Sequence, residues 1–170
     1  QERLDVVADV LPFTVASVTP GQVGNAGFAT LEVEASEFDL CTTAELLKDG
    51  VVIRTATNIL AGSTASRALV TFDLRGLEPG AYQLRVGDGH GATATETLTV
   101  VDGVGARIGS DVEGPSAVRR DREYIFYVHY GNNGDADGVA PLLLVENLDA
   151  NRFATTRDGL ADAPAKPRGI

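Results

Sequence analysis

Leu77-Glu78-Pro79-Gly80-Ala81-Tyr82-Gln83-Leu84-Arg85-Val86 decides the fold. A Pro-Gly turn delivers a tyrosine to the start of an extended run. From Tyr82 onward every second side chain is apolar: Tyr82, Leu84 and Val86 on one side, Gln83 and Arg85 on the other. Period two marks a strand with one face in a core and one in water. A tyrosine placed there can fill the core with its ring while its hydroxyl bonds to backbone upstream. Pro79, Gly80 and Tyr82 are therefore read as structural residues.

The same alternation extends outward. Ala68 to Leu74 places Ala68, Val70, Phe72 and Leu74 on one side. In Phe28 to Ala35, Leu31, Val33 and Ala35 oppose Thr30, Glu32 and Glu34. Phe13 to Val18 reads as a first strand stopped by Pro20-Gly21. Ala44 to Lys48 and Val51 to Thr55 flank Asp49-Gly50, a pair suited to a type I′ hairpin because both residues must accept positive φ. Gly87 to Gly91 turns the chain, and Thr93 to Val101 closes the module. The best helical candidate, Thr42 to Lys48, is short and runs into the hairpin turn. About seven strands in roughly 90 residues is the number an immunoglobulin-like sandwich uses, and a tyrosine after such a turn matches its tyrosine corner. The fold class is all-β, with tandem immunoglobulin-like β-sandwiches.

Residues 11–101 form the first sandwich. Residues 1–10, with Leu4, Val6, Val7 and Val10, are a linker or the end of a preceding module. Residues 102–170 read as a second, incomplete sandwich. Its expected strands are Arg107 to Val112, Tyr124 to Tyr130 and Pro141 to Val145. In the second of these, Tyr124, Phe126, Val128 and Tyr130 share one face. Three strands cannot close a sandwich that normally has about seven. The favoured expectation is truncation, with another chain supplying the missing strands as the alternative. Ala163-Pro164-Ala165-Lys166-Pro167 is linker-like. Methionine is absent, even at position 1, so the chain is expected to be trimmed or internal to a longer reading frame.

Ser17-Val18-Thr19-Pro20-Gly21, Gly27 and the strand ending in Glu34-Ala35-Ser36-Glu37-Phe38 resemble the opening of IPT/TIG immunoglobulin-like domains. There a Ser-x-x-Pro start precedes a strand ending in Gly-x-x-Phe; Ala35 stands in place of that glycine. Pro79-Gly80-Ala81-Tyr82 and Gly87-Asp88-Gly89-His90-Gly91 resemble the family's close. This resemblance spans residues 11–101. Tyr127-Val128-His129-Tyr130-Gly131-Asn132-Asn133-Gly134-Asp135-Ala136-Asp137 resembles a turn of bacterial CARDB-like surface sandwich domains, over residues 105–148. These motifs are turn and core positions, so the resemblance implies a fold and not an activity.

Net charge is −10. Nucleic acid and anionic membranes need a basic face, so both are poor partners. No apolar run approaches the roughly 18 residues of a membrane helix, and no membrane insertion is expected. The acidic balance fits an extracellular protein or one that collects divalent cations. Lysine occurs only at Lys48 and Lys166, while Ala and Gly are abundant, a bias that suggests a GC-rich bacterial genome. The single cysteine, Cys41, cannot form a disulfide within the chain and reads as a buried free thiol.

Asn133, Asp135 and Asp137, followed by Gly138, place oxygen donors at positions 1, 3 and 5 and glycine at 6 of a calcium loop. Position 12 is Leu144, not glutamate, and Glu146 is out of register. A plain turn is the first reading and a Ca2+ site the second; Asp111, Glu113 and Asp121 are candidate extra ligands. No other cofactor is expected. Arg119-Arg120-Asp121-Arg122 reads as a solvated turn and His90 as an exposed ring. His129 faces out or toward a neighbouring module. Nucleophile elbow, P-loop, dinucleotide fingerprint and His-x-x-x-His pair are all missing from the sequence.

The expected function is a non-catalytic structural or adhesion module of a secreted or cell-surface bacterial protein. Its partners would be neighbouring immunoglobulin-like modules, and beyond them another protein or a polysaccharide. One alternative is a carbohydrate-binding accessory domain of a secreted enzyme. That needs a row of exposed aromatic rings, for which Tyr127 is a lone candidate. The other is an assembly subunit that exchanges strands with its neighbour.

Overall fold

The computed structural model describes residues 12–39, 42–62, 64–119, 122–144 and 154. The expectations for residues 1–10, Cys41, Asp121 and the linker-like C-terminus lie outside the described residues.

β3 (Phe28–Ala35) and β7 (Arg67–Asp73) form the centre of one sheet, in antiparallel register from Phe28↔Asp73 to Glu34↔Arg67. Their alternation puts Leu31, Val33, Ala68, Val70 and Phe72 wholly inside. On the outer face Arg67 bridges Glu32 and Glu34 at 3.1 and 2.9 Å. β1 (Val15–Thr19) and β6 (Asn58–Ala61) flank this pair, giving the order β1-β3-β7-β6.

The second sheet is β2-β9-β8-β4-β5. It comprises β2 (Gln22–Gly24), β4 (Thr43–Lys48), β5 (Val51–Thr55), β8 (Gly80–Gly87) and β9 (Thr93–Val101). Leu46, Leu84, Val86, Leu98 and Val100 project from it into the core shared with the first sheet. Burying a side chain of this size contributes about 1.5–3 kcal/mol, so the facing sheets hold most of the favourable energy. Asp49 and Gly50 both have positive φ, 53° and 78°, as the tight β4–β5 hairpin requires. In immunoglobulin lettering the sheets are A-B-E-D and A′-G-F-C-C′, which is that sandwich's arrangement.

The strand expected from Ala44 to Lys48 is present as Thr43–Lys48, between β5 and β8, and the stretch holds no helix. Pro20-Gly21 does not simply stop a strand. Proline has no N–H to extend the ladder with β3, so pairing ends at Thr19↔Glu32. The chain then crosses to the other sheet, where β2 runs parallel to β9.

Beyond the sandwich, β10 (Ile108–Glu113) pairs antiparallel with β11 (Tyr127–Asn132). The expected strand from Tyr124 therefore begins at Tyr127 instead. Tyr124 precedes it, its hydroxyl accepting the Arg119 N–H at 2.7 Å. Phe126, Val128 and Tyr130, expected on one face, are all exposed, because no second sheet covers them among the described residues. The expected third strand is also not formed over 141–144, and Val145 lies outside the described residues. One compact unit, Gln1–Val139, contains sandwich and hairpin; Ala140–Ile170 is a separate unit. Within the latter, Leu142 is fully exposed.

Candidate functional site

The loop that follows β11 packs on the end of the sandwich where β9 leaves it. The backbone there is crossed three ways. The Asn25 amide donates to Leu77 O at 2.8 Å, while its Oδ1 accepts the Gly103 N–H at 2.9 Å. Its own N–H bonds to Val101 O at 3.0 Å. One side chain thus ties the start of β3, the turn before β8 and the exit of β9.

Asp135 is the centre of the attachment. Its carboxylate accepts the Val104 N–H at 2.9 Å and the Gly105 N–H at 2.9 Å. Its main-chain oxygen accepts the Gly24 N–H at 2.8 Å. Asp137 makes the second attachment: its N–H donates to Phe28 O at 2.7 Å. The Asp137 carboxylate takes the Thr30 N–H at 3.1 Å and the Thr30 hydroxyl at 2.6 Å. Between them Ala136 is the one buried hydrophobic side chain beyond Val100 among the described residues. Carboxylate–amide bonds are charge-assisted, each worth about 1.5–3 kcal/mol when shielded and less at a wet surface.

Asn133 is exposed, and its N–H continues the hairpin ladder to Arg107 O at 2.8 Å. It does not join the two aspartates. The neighbouring Asn132 shapes the loop instead. Its Oδ1 accepts the Arg107 and Gly134 N–H groups, each at 2.9 Å, and its Nδ2 donates to Ala136 O at 2.6 Å. Asp135 and Asp137 are thus aimed at two different backbone stretches. Among the described residues no three His, Cys, Asp or Glu side chains gather as metal ligands. Gly24, Asn25, Thr30 and Asn132 were not singled out from sequence. Gly24-Asn25, followed by Gly27, and Asn132, next to Asn133-Gly134, carry local turn signals; Thr30 carries none.

The other residues read from sequence lie elsewhere. Tyr82 is buried, and its hydroxyl donates to Glu78 O at 2.9 Å across the Pro79-Gly80 turn. Exposed His90 meets Asp39 at 2.9 Å. His129 reaches Glu113 at 3.2 Å on the polar face of the hairpin. Tyr127 is 59% exposed, with the His129 ring 6.4 Å away. Arg119 and Arg122 are exposed.

No protein-family model matches the sequence, and no curated protein matches it. Among solved structures the chain is similar to titin domain I10, with 16% identity, 54% of this chain and 99% of that one covered, and a TM-score of 0.36. Titin domain M1 follows with 12% identity, 51% and 95% coverage, and a TM-score of 0.31. The N-terminal Ig1-2 module of the Drosophila receptor protein tyrosine phosphatase DLAR gives 16% identity, 62% and 58% coverage, and 0.36. Likeness at this level carries no weight here. The immunoglobulin-like fold rests on the strand order and on the core shared by two sheets.

Proposed function

We propose that this chain is a non-catalytic spacer or adhesive module, part of a secreted or cell-surface bacterial protein built from successive immunoglobulin-like units. The observation that carries this reading is the Asp135–Asp137 attachment. A sandwich whose exit strand swung freely would act as a bead on a string. Here the next ribbon of the chain is bonded back onto the sandwich it has just left, through Gly24, Phe28, Thr30, Val104 and Gly105. Such stitching holds successive elements at one angle, which suits a stalk that projects a binding surface. The IPT/TIG resemblance of residues 11–101, the extracellular location and the neighbouring modules as partners belong to the same proposal. The aspartates serve it as backbone clamps.

The test is the angle between sandwich and hairpin. Spin labels at Thr97→Cys and Tyr127→Cys, in a Cys41→Ser background, report it by double electron–electron resonance. A single narrow distance is expected, broadening in Asp135→Ala with Asp137→Ala. A broad distribution in the unmutated junction would overturn the reading.

A further inference from the structure

The β10–β11 hairpin has two unlike faces. Ile108, Val112, Val128 and Tyr130 share one, with Ser110 between them; Asp111, Glu113 and His129 share the other, with Tyr127 at its end. The apolar four are 40%, 59%, 38% and 62% exposed. The backbone edges are open as well. Because the Asn133 N–H bonds to Arg107 O, residues 107 and 133 form a hydrogen-bonded pair, and such pairs alternate along an antiparallel ladder. Gly109, Asp111 and Glu113 therefore bond inward to β11. The N–H and C=O groups of Ile108, Ser110 and Val112 point away from it. Neither strand has another neighbour among the described residues. A lone ribbon with one apolar face is marginal in water, and an open edge is a template for pairing.

We infer that the outer edge of β10 accepts one added antiparallel strand, an extended peptide whose side chains alternate between apolar and basic. Charge selects this occupant over a second copy of the chain. The polar face of β10 carries Asp111 and Glu113, and the protein as a whole carries −10. A second copy paired there would set carboxylate near carboxylate, and like charges across strands destabilise the pairing. Four side chains also fall well short of the roughly 800 Å² per partner that a stable dimer buries. A lysine or arginine opposite Asp111 gains a favourable cross-strand pair. On the other face the peptide's apolar residues cover Ile108 and Val112, while the main chain supplies the hydrogen bonds. This inference goes beyond the spacer reading and stands without it, since it needs only the hairpin.

The experiment uses fluorescence anisotropy with a labelled nine-residue peptide alternating valine and lysine. Its control has the same composition with valines and lysines in separate blocks. The alternating peptide is expected to bind at least tenfold more tightly than the control. Asp111→Lys with Glu113→Lys should weaken it about tenfold. Ser110→Pro removes an outward N–H and no inward one; it should abolish binding while amide exchange at Asp111 and His129 stays slow. The same peptide N-methylated on its valines, whose amides face β10, tests the edge without altering the protein, and it too should fail to bind. Equal binding of both unmethylated peptides would mean adhesion to an acidic surface only and would overturn the inference. So would retained binding by the N-methylated peptide. Dimerisation of the protein alone by sedimentation, with Ile108 and Val112 amides protected, would name a second copy as the occupant and overturn it equally.

Discussion

Gly24 is the seat of Asp135. Its N–H donates to the Asp135 main-chain oxygen at 2.8 Å, and a β-carbon on Gly24 would lie 2.5 and 2.8 Å from the two carboxylate oxygens. No side chain fits without moving that carboxylate off the Val104 and Gly105 amides. Gly24→Ala should therefore detach the loop from the sandwich and leave the sandwich folded. The expected cost is about 1–3 kcal/mol, the scale of unpairing hydrogen-bonded groups at a partly shielded site. Hydrogen exchange checks it: the Gly24, Val104 and Gly105 amides should exchange faster while Leu31 and Leu84 remain protected. Unchanged exchange at Gly105 would show that Asp135 holds without its seat.

The Tyr82 ring and hydroxyl do separate work. The ring is buried, and the hydroxyl reaches Glu78 O at 2.9 Å. Tyr82→Phe keeps the packing and leaves one carbonyl without its donor, so a loss of about 0.5–1.5 kcal/mol is expected. Tyr82→Ala removes the ring as well and should cost about 3–5 kcal/mol, as large core truncations do. Urea unfolding of the two variants separates these contributions. Equal losses would mean that the hydroxyl contact dominates.

What the sequence made legible follows from physics that acts locally. β3, β7 and β8 each alternate in period two, and their buried residues are those the alternation selects: Leu31 and Val33, Val70 and Phe72, Leu84 and Val86. Asp49-Gly50 was readable because the turn itself demands two positive φ values. β6 was not readable, since Asn58-Ile59-Leu60-Ala61 shows no alternation and exists as a strand only through pairing with β7. β2, three residues long, depends in the same way on β9. The junction shows the limit most clearly. The spacing of Asn133, Asp135 and Asp137 displayed oxygens. It could not display which amides would come to meet them, because Gly24, Thr30, Val104 and Gly105 are brought there by the whole sandwich.

Acid sensitivity should concentrate at Asp73. The Arg75 guanidinium, bonded at 2.6 Å, pushes the Asp73 carboxyl down from 3.8 to about 2, against a smaller opposing effect of desolvation. A carboxyl depressed in the folded state binds fewer protons there than in the unfolded chain. Its stabilisation is complete above the ordinary value of 3.8 and is lost as the pH falls toward about 2. Over that window the unmutated protein should lose more stability than Asp73→Asn, which has no such proton to take up. Urea midpoints at pH 5 and pH 2.5 for both proteins test this. Parallel declines would remove Asp73 from the account.

Calcium provides the last contrast. For Asn133, Asp135 and Asp137 to converge on one cation, the two carboxylates would have to turn from the separate backbone stretches that hold them, Val104 and Gly105 for Asp135 and Thr30 for Asp137, and strain those bonds. A ligand that binds only the folded state raises its stability as concentration passes the dissociation constant, so the competition is visible in a melting curve. Millimolar calcium is expected to leave the midpoint of the unmutated chain unchanged. Asp135→Ala should lower that midpoint by the same amount with calcium or with chelator, because what it removes is the anchor to Val104 and Gly105. A calcium-dependent rise in the unmutated chain that vanishes in Asp135→Ala would reverse the assignment and make the loop a cation site.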